Sequence, residues 1–227
     1  MPETRLLFDS VAKNYDLLNT IFSMGRDRIW RKRLAKEIEG SGLILDIATG
    51  TAEVAIEVVN NARNSQVVGL DPSGEMLLLG KKKINSTGLH ARIRLVQGVA
   101  EKLPFKDNAF DAITIAFGIR NTVAPINALT EMNRVLTRGG RLAILEFAVP
   151  QAKIFSPAYM FYLKNILPLV GSFFGTRKQY RYLGDSISEF PHREAFLKIL
   201  SKSGYSVEKP IELMCGTVII YIGIKRY

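Results

Sequence analysis

Asp46, the small-residue turn Ala48, Thr49, Gly50 and Thr51, and Asp71 are the residues of this chain whose types and spacing could hold a ligand. The first five lie in LILDIATGTAEVA (residues 43–55), an apolar run that reaches an acid, turns through small side chains and opens into a helix-forming segment. A strand–turn–helix start of this kind lets a ligand approach the backbone closely. Tight turns also need small residues for packing alone, so the turn by itself names no ligand. Asp71 narrows the choice. It ends a second apolar run some twenty residues after Gly50, where an acid accepts hydrogen bonds from both hydroxyls of a ribose.

NAD and S-adenosylmethionine both carry that ribose, and the turn separates them. A dinucleotide sets its pyrophosphate on the helix N-terminus, with glycine where the backbone comes closest. Here that position is Ala52, and the carboxylate of Glu53 follows it. An acid there repels a pyrophosphate, whereas S-adenosylmethionine has no phosphate and carries a sulfonium and an ammonium. Glu53 and Asp46 suit those cations, although an acid in a first helical turn is also favoured by the helix dipole alone. The residues favour S-adenosylmethionine over a nicotinamide cofactor, with Asp46, Ala48, Gly50, Thr51 and Asp71 as its candidate contacts.

The surrounding chain must position this turn. Residues 43–48, 66–70, 93–97, 110–117 and 141–147 read as strands, alternating with helices over 52–61, 73–85 and 125–136. Pro72 is expected in the first turn of the second of these, and Arg138-Gly139-Gly140 as the cap of the third. Such alternation implies an α/β fold with a doubly wound parallel sheet. Ahead of it, residues 1–41 read as a helical lead-in. Phe8, Val11, Tyr15 and Leu18 form one stripe, and a helix over 27–36 places Trp30 and Leu34 inward and Arg28, Arg31, Lys32 and Arg33 on its surface. Behind it, residues 156–174 are strongly apolar, but Lys164, Asn165, Pro168 and Gly171 interrupt them, leaving no uncharged run near ~18 residues. A helical cover over an apolar pocket is expected rather than a membrane span. Residues 176–190 read as a basic, aromatic lead to a helix over 193–203, and residues 205–212 and 217–224 as a terminal antiparallel hairpin. The organisation is one domain of 227 residues: lead-in 1–41, cofactor-binding core 42–149, and substrate cover with hairpin 150–227.

Composition excludes several classes. With 47% hydrophobic and 23% charged residues and no low-complexity tract, the chain reads as a soluble globular protein. The single cysteine, Cys215, excludes an internal disulfide framework, and His90 and His192 stand far apart with no ligand spacing, so no metal site is expected. The polar start reads as no signal peptide, making the cytoplasm the expected compartment. The net charge of +10 is concentrated in residues 150–227, with eleven basic residues against five acidic. A membrane surface and a nucleic acid both fit such an excess. Basic residues interleaved with aromatics, the mark of a nucleic-acid groove, occur only briefly at 178–182, and no nucleic-acid partner is expected.

Longer motifs then point to a family. VAKNYDLLNTIFSMGRDRIW (11–30), VVGLDPSGEML (67–77), AEKLPFKDNAFDAITIAFGIRN (100–121), RVLTRGGRLAILEF (134–147) and YRYLGDSISEFP (180–191) resemble the ubiquinone/menaquinone-biosynthesis C-methyltransferases. The resemblance spans nearly the whole chain and implies a Rossmann-like S-adenosylmethionine-dependent methyltransferase fold. It also implies methylation of a ring carbon of a reduced, prenylated quinone precursor, with demethylmenaquinol the leading candidate. A methyltransferase acting on another small molecule or RNA shares the alternating core up to the fifth strand, and a cofactor-binding relative with altered activity is suggested by Ala52, Val99 and Ala116 together. Thr51 and Asp71 match the family's cofactor contacts, and Val99 and Ala100 occupy the stretch expected beside the adenine. The chain departs from the family at Ala52 (glycine), Glu53 (aspartate), Val99 (an acid or amide), Ala116 (serine) and Asp27 (histidine).

For a quinol, a hydroxyl must ionise before the adjacent ring carbon becomes nucleophilic. With a phenol pKa near ~10, holding that phenolate at neutral pH costs about 4 kcal/mol unless the site helps. Arg120 is the candidate to stabilise the oxyanion, with Asn121 orienting it. A buried structural ion pair is the alternative reading of Arg120. Asp16 and Tyr15, or Tyr180 and Tyr182, are candidates to relay the proton. The prenyl tail partitions into lipid, so transient contact of the basic last third with the inner membrane surface is expected.

Overall fold

The computed structural model describes residues 16, 19–20, 23, 25–62, 64–173 and 175–226. The stripe of Phe8, Val11, Tyr15 and Leu18 lies outside them, and with it the candidate relay residue Tyr15.

Among the described residues the chain forms α1 (Asp27–Lys36), β1 (Leu43–Ile47), α2 (Glu53–Asn61), β2 (Gln66–Asp71), α3 (Gly74–Ser86), β3 (Ile93–Gln97) and β4 (Phe110–Ala116). A short 3-10 turn, Ile119–Asn121, leads to α4 (Pro125–Val135) and β5 (Leu136–Phe147). Then come α5 (Phe155–Phe161), a π-helical turn (Tyr162–Ile166), α6 (Leu167–Phe173), α7 (Arg177–Glu189) and α8 (Glu194–Lys202). Strands β6 (Tyr205–Val207), β7 (Ile211–Leu213) and β8 (Val218–Lys225) close the chain.

The strands lie in the order β3-β2-β1-β4-β5-β8-β6, with β7 also paired to β8. β1 to β5 pair in parallel and β8 runs antiparallel to β5. The parallel part is the α/β sheet expected from the alternation, and the antiparallel closure is that expected of the terminal strands. The central strands are near-continuous apolar runs because helices cover both of their faces. Strand period sends Leu45 and Ile47 of β1 to one side, against Leu129 and Met132 of α4 and Phe196 of α8. Ile44 goes to the other side, against Leu34 of α1 and Val58 of α2.

Several local expectations are corrected. The glycine pair does not cap α4; Leu136 pairs directly with Phe110, so β5 begins there and Gly139 and Gly140 fall in an irregularity inside the strand. Pro72 precedes α3, whose N-cap is Ser73, its hydroxyl accepting from Met76 N–H at 3.1 Å. Residues 205–212 are two short strands, parted at Glu208–Pro210, where Pro210 lacks a ladder donor. Residues 177–189 form the helix α7 rather than a lead to one, burying Tyr180, Gly184 and Ile187 along one side. Arg31 is not on the surface: its side chain is 12% exposed and paired with Asp27.

The apolar stretch after Ser156 is helical, as expected, with a wide turn just ahead of Pro168, whose ring nitrogen cannot bond back to Lys164. Among the described residues no helix is long and apolar enough to cross a membrane. This cover buries Leu163 and Leu167 inward but leaves Ile154, Phe161 and Leu169 well exposed.

Candidate active site

Strand order reverses between β1 and β4, and the crevice beyond the carboxyl ends of the strands at such a point is where α/β sheets bind ligands. A cavity of about 520 Å³ opens there, lined by Ala48, Gly50, Asp71, Val99 and Ala100 among others. Ala48, Gly50 and Ala52 all adopt positive φ, at 52°, 55° and 66°. The turn therefore winds through left-handed backbone, which needs small side chains and strains Ala52 where glycine would relax. Asp71 fastens the turn to β2: one carboxylate oxygen accepts from Gly50 N–H and the other from Ser73 N–H, both at 2.9 Å.

Asp46 and Thr51 are not among the residues lining this cleft. Asp46 lies beneath the turn, accepting from the hydroxyls of Thr49 (2.6 Å) and Thr114 (2.7 Å). Burial raises its carboxyl from 3.8 to about 6, against the pull of the two threonine bonds and with a small push from the Asp71 charge. Thr51 is buried on the far side of the turn from this lining and donates to Asp16 at 2.7 Å. Lys83 joins Asp16, Thr51 and Glu53 into one cluster. Glu53, which also lies 3.5 Å from Arg31, is thus neutralised by cations outside the cleft. Its carboxylate does not select the ligand; the lining does. Among the described lining residues the charged side chains are Asp71 and Glu101, both acidic, with no cation to meet a pyrophosphate. That set fits a cationic, phosphate-free cofactor.

A second cavity of about 440 Å³ adjoins the first, and Phe117 lines both. Its walls are largely aromatic. Phe117 stacks on Phe147 with ring centroids 4.3 Å apart, and Trp30 meets both rings edge-on at 6.1 and 6.2 Å. The cover of α5 to α6 and helix α7 supply Tyr159, Tyr162, Tyr180 and Tyr182. Burial raises the phenol pKa of Tyr159 and Tyr162, so neither gives up a proton readily.

The FG-x-RN stretch folds back on itself between the cavities. Phe117 takes φ of 55°, and its carbonyl accepts from Arg120 Nη1 at 2.8 Å and Asn121 Nδ2 at 3.2 Å. Asn121 lines the first cavity and accepts from the Tyr182 hydroxyl of the second at 3.0 Å. Arg120 lines the second cavity with its side chain 5% exposed, and pairs with the wholly buried Glu146 at the end of β5. Its Nε reaches Ser186 at 3.4 Å, and its guanidinium lies 5.5 Å from the Phe147 ring centre. Burial raises the pKa of Glu146, with the charge of Arg120 opposing that rise.

The structure thus brings Ala48, Gly50, Asp71, Val99, Ala100 and Asn121 to one cleft, and Arg120, Tyr180 and Tyr182 to the neighbouring cavity. Asp16 joins neither lining. Sequence reasoning missed Glu146, although an acid at the end of an otherwise apolar strand signals a buried cation partner. It also passed over Asp27 as a site residue. Among the described residues no group of His, Cys, Asp or Glu could hold a metal ion.

The model of the ubiE/COQ5 methyltransferase family matches residues 3–225. The ubiquinone/menaquinone biosynthesis C-methyltransferase UbiE of Geobacter sp. (strain M21) is 42% identical over 224 residues, covering 97% of this chain and 95% of that protein. The demethylmenaquinone methyltransferase of Thermus thermophilus is 40% identical over 221 residues, covering 96% and 99%. A solved SAM-dependent methyltransferase of Aquifex aeolicus superposes with a TM-score of 0.66 over 92% of this chain and 97% of its own, and at 19% identity it speaks to the fold alone. With a family model matched along almost its whole length and relatives this similar, the chain belongs to the ubiE/COQ5 methyltransferase family.

Proposed function

We propose that this chain transfers the methyl group of S-adenosylmethionine to a ring carbon of a reduced, prenylated quinone precursor, demethylmenaquinol first among the candidates. The observation that carries the reading is the pair of cavities meeting at Phe117: one acid-lined at the carboxyl ends of the strands, the other aromatic and roofed by an apolar helix. When bound, S-adenosylmethionine supplies an electrophilic methyl group. Asp71 and the turn from Ala48 to Gly50 would hold its nucleoside end, with Val99 and Ala100 alongside.

The second cavity would take the ring. Two of the three guanidinium nitrogens of Arg120 are spent on protein partners: Nη1 on Glu146 and Phe117, and Nε on Ser186. Among the described residues Nη2 has no partner, which leaves it to meet an anionic ring oxygen. Glu146 offsets the charge but also holds the fork in place, so the oxyanion and ion-pair readings of Arg120 are compatible. Asp16 acts at a distance, fixing the lead-in to the cofactor turn through Thr51 and Lys83. Walls of this kind exclude water and align the ring carbon, which is most of what methyl transfer asks of a protein.

The tail of the substrate would leave past the cover. Its outward Ile154, Phe161 and Leu169 beside Lys153 and Lys164 suit transient contact with an anionic membrane surface. Residues 42–149 would then hold the cofactor and supply Phe117, Arg120 and Phe147 to the ring, with α1 and residues 150–227 completing the ring's walls and the exit of its tail. Label passing from methyl-labelled S-adenosylmethionine into a lipid-extractable product tests the reading; label confined to water-soluble products would refute it.

A further inference from the structure

Resting on the quinol reading above, we infer that Asp27 is the residue that selects the reduced ring over its oxidised form, by accepting a hydrogen bond from a ring hydroxyl. Asp27 is the only carboxylate among the described residues that line the aromatic cavity. It is 3% exposed. One of its oxygens accepts from the Ser23 hydroxyl at 2.9 Å and the other from Arg31. A carboxylate offers about four acceptor positions, so each oxygen keeps room for another donor. Both partners are donors, and they fix the carboxyl in a wall it shares with Trp30 and Phe147.

Its place relative to Arg120 gives the selection its logic. Trp30 follows Asp27 by one helical turn, so the two share a face of α1. Trp30 packs edge-on against Phe147, and Phe147 in turn carries the Arg120 guanidinium over its ring. The wall thus runs from an acceptor, Asp27, across two aromatic rings to a donor, Arg120. A hydroquinone matches both ends: one oxygen gives its O–H to Asp27, and the other accepts from Arg120 and is the one that ionises. A quinone has only acceptors, so its carbonyl lone pairs would face the Asp27 carboxylate with no proton between them. A site built around a substrate O–H penalises an analogue that lacks it, because the buried partner is left unpaired. The same arrangement designates which ring oxygen becomes the oxyanion.

The test is a binding comparison that needs no turnover. A short-chain prenylated naphthoquinone and its anaerobically reduced quinol are titrated separately into the protein preloaded with S-adenosylhomocysteine, the ring followed by tryptophan quenching. The wild type is expected to bind the quinol about tenfold or more tightly than the quinone. Asp27→Asn, whose amide can donate to a carbonyl, should reduce that ratio about tenfold, with its thermal unfolding midpoint recorded alongside. Equal wild-type affinity for the two redox forms would overturn the inference even if the variant failed to fold. An unchanged ratio in a folded variant would overturn it too. If neither ring form binds at all, the substrate reading fails first and the inference falls with it.

Discussion

Arg120 and Glu146 form a buried pair across the ends of neighbouring elements, the guanidinium 5% exposed and the carboxylate not at all. Such a pair is vulnerable from either side, since removing one partner strands a charge in the interior. Glu146→Ala should therefore cost about 3–5 kcal/mol in stability. Glu146→Gln, which keeps an acceptor for Arg120, should cost clearly less. Arg120→Lys keeps the charge but loses the planar fork, so kcat should fall about 10²-fold or more with S-adenosylmethionine affinity little changed. Urea unfolding and steady-state kinetics check these effects; near-normal turnover in Arg120→Lys would remove the oxyanion role.

Asp46 gives stability a pH dependence. Its folded pKa of about 6 lies above the ordinary 3.8, so between those values the folded state holds a proton that the unfolded chain has released. The contribution is full below about pH 4 and is lost as pH rises through about 6, a change of about 3 kcal/mol for a shift of this size. Asp46→Asn does not titrate. The stability of the wild type relative to that variant should decline from about pH 4 to about pH 7 and then level off. A flat difference across that range would show that the carboxyl ionises without strain.

Gly118 faces the turn from the end of β4. A Cβ there would sit 2.6 Å from the Ala48 Cβ and 3.1 Å from Ile115 Cγ1, so the turn or the strand must shift. Gly118→Ala should destabilise by about 1–3 kcal/mol and weaken S-adenosylmethionine binding measurably. Calorimetry on the folded variant separates the two effects.

Ile154, Phe161 and Leu169 are 92%, 61% and 63% exposed on the cover. Replacing all three by serine should leave the folded core intact and abolish co-sedimentation with anionic vesicles. Added salt should weaken wild-type binding, as a headgroup contribution requires. Vesicle binding that survives the triple change would place the contact elsewhere.

The sheet was legible because its central strands are unbroken apolar runs whose length and punctuation leave little choice. The small-residue turn at the strand ends was legible too, from Ala48, Gly50 and Asp71. What stayed hidden was pairing between distant positions. Arg120 and Glu146 are 26 residues apart and meet only because β4 and β5 lie side by side. Between a ligand role and a helix-dipole role the sequence could not place Glu53, because its cation partners, Arg31 and Lys83, come from α1 and α3. Gly139 and Gly140 looked like a helix cap, and strand pairing at Leu136 overrode that local preference. Helix α7 was obscured because its buried face mixes a tyrosine, a glycine and an isoleucine rather than a uniform apolar stripe.

The most direct measurement combines the purified protein, S-adenosylmethionine and anaerobically reduced demethylmenaquinol, followed by mass spectrometry of the extracted lipid. The account predicts a product heavier by one methylene, with the added carbon on the quinone ring and none on oxygen. Failure to methylate demethylmenaquinol or any related prenylated quinol, in a protein that binds S-adenosylmethionine, would contradict it.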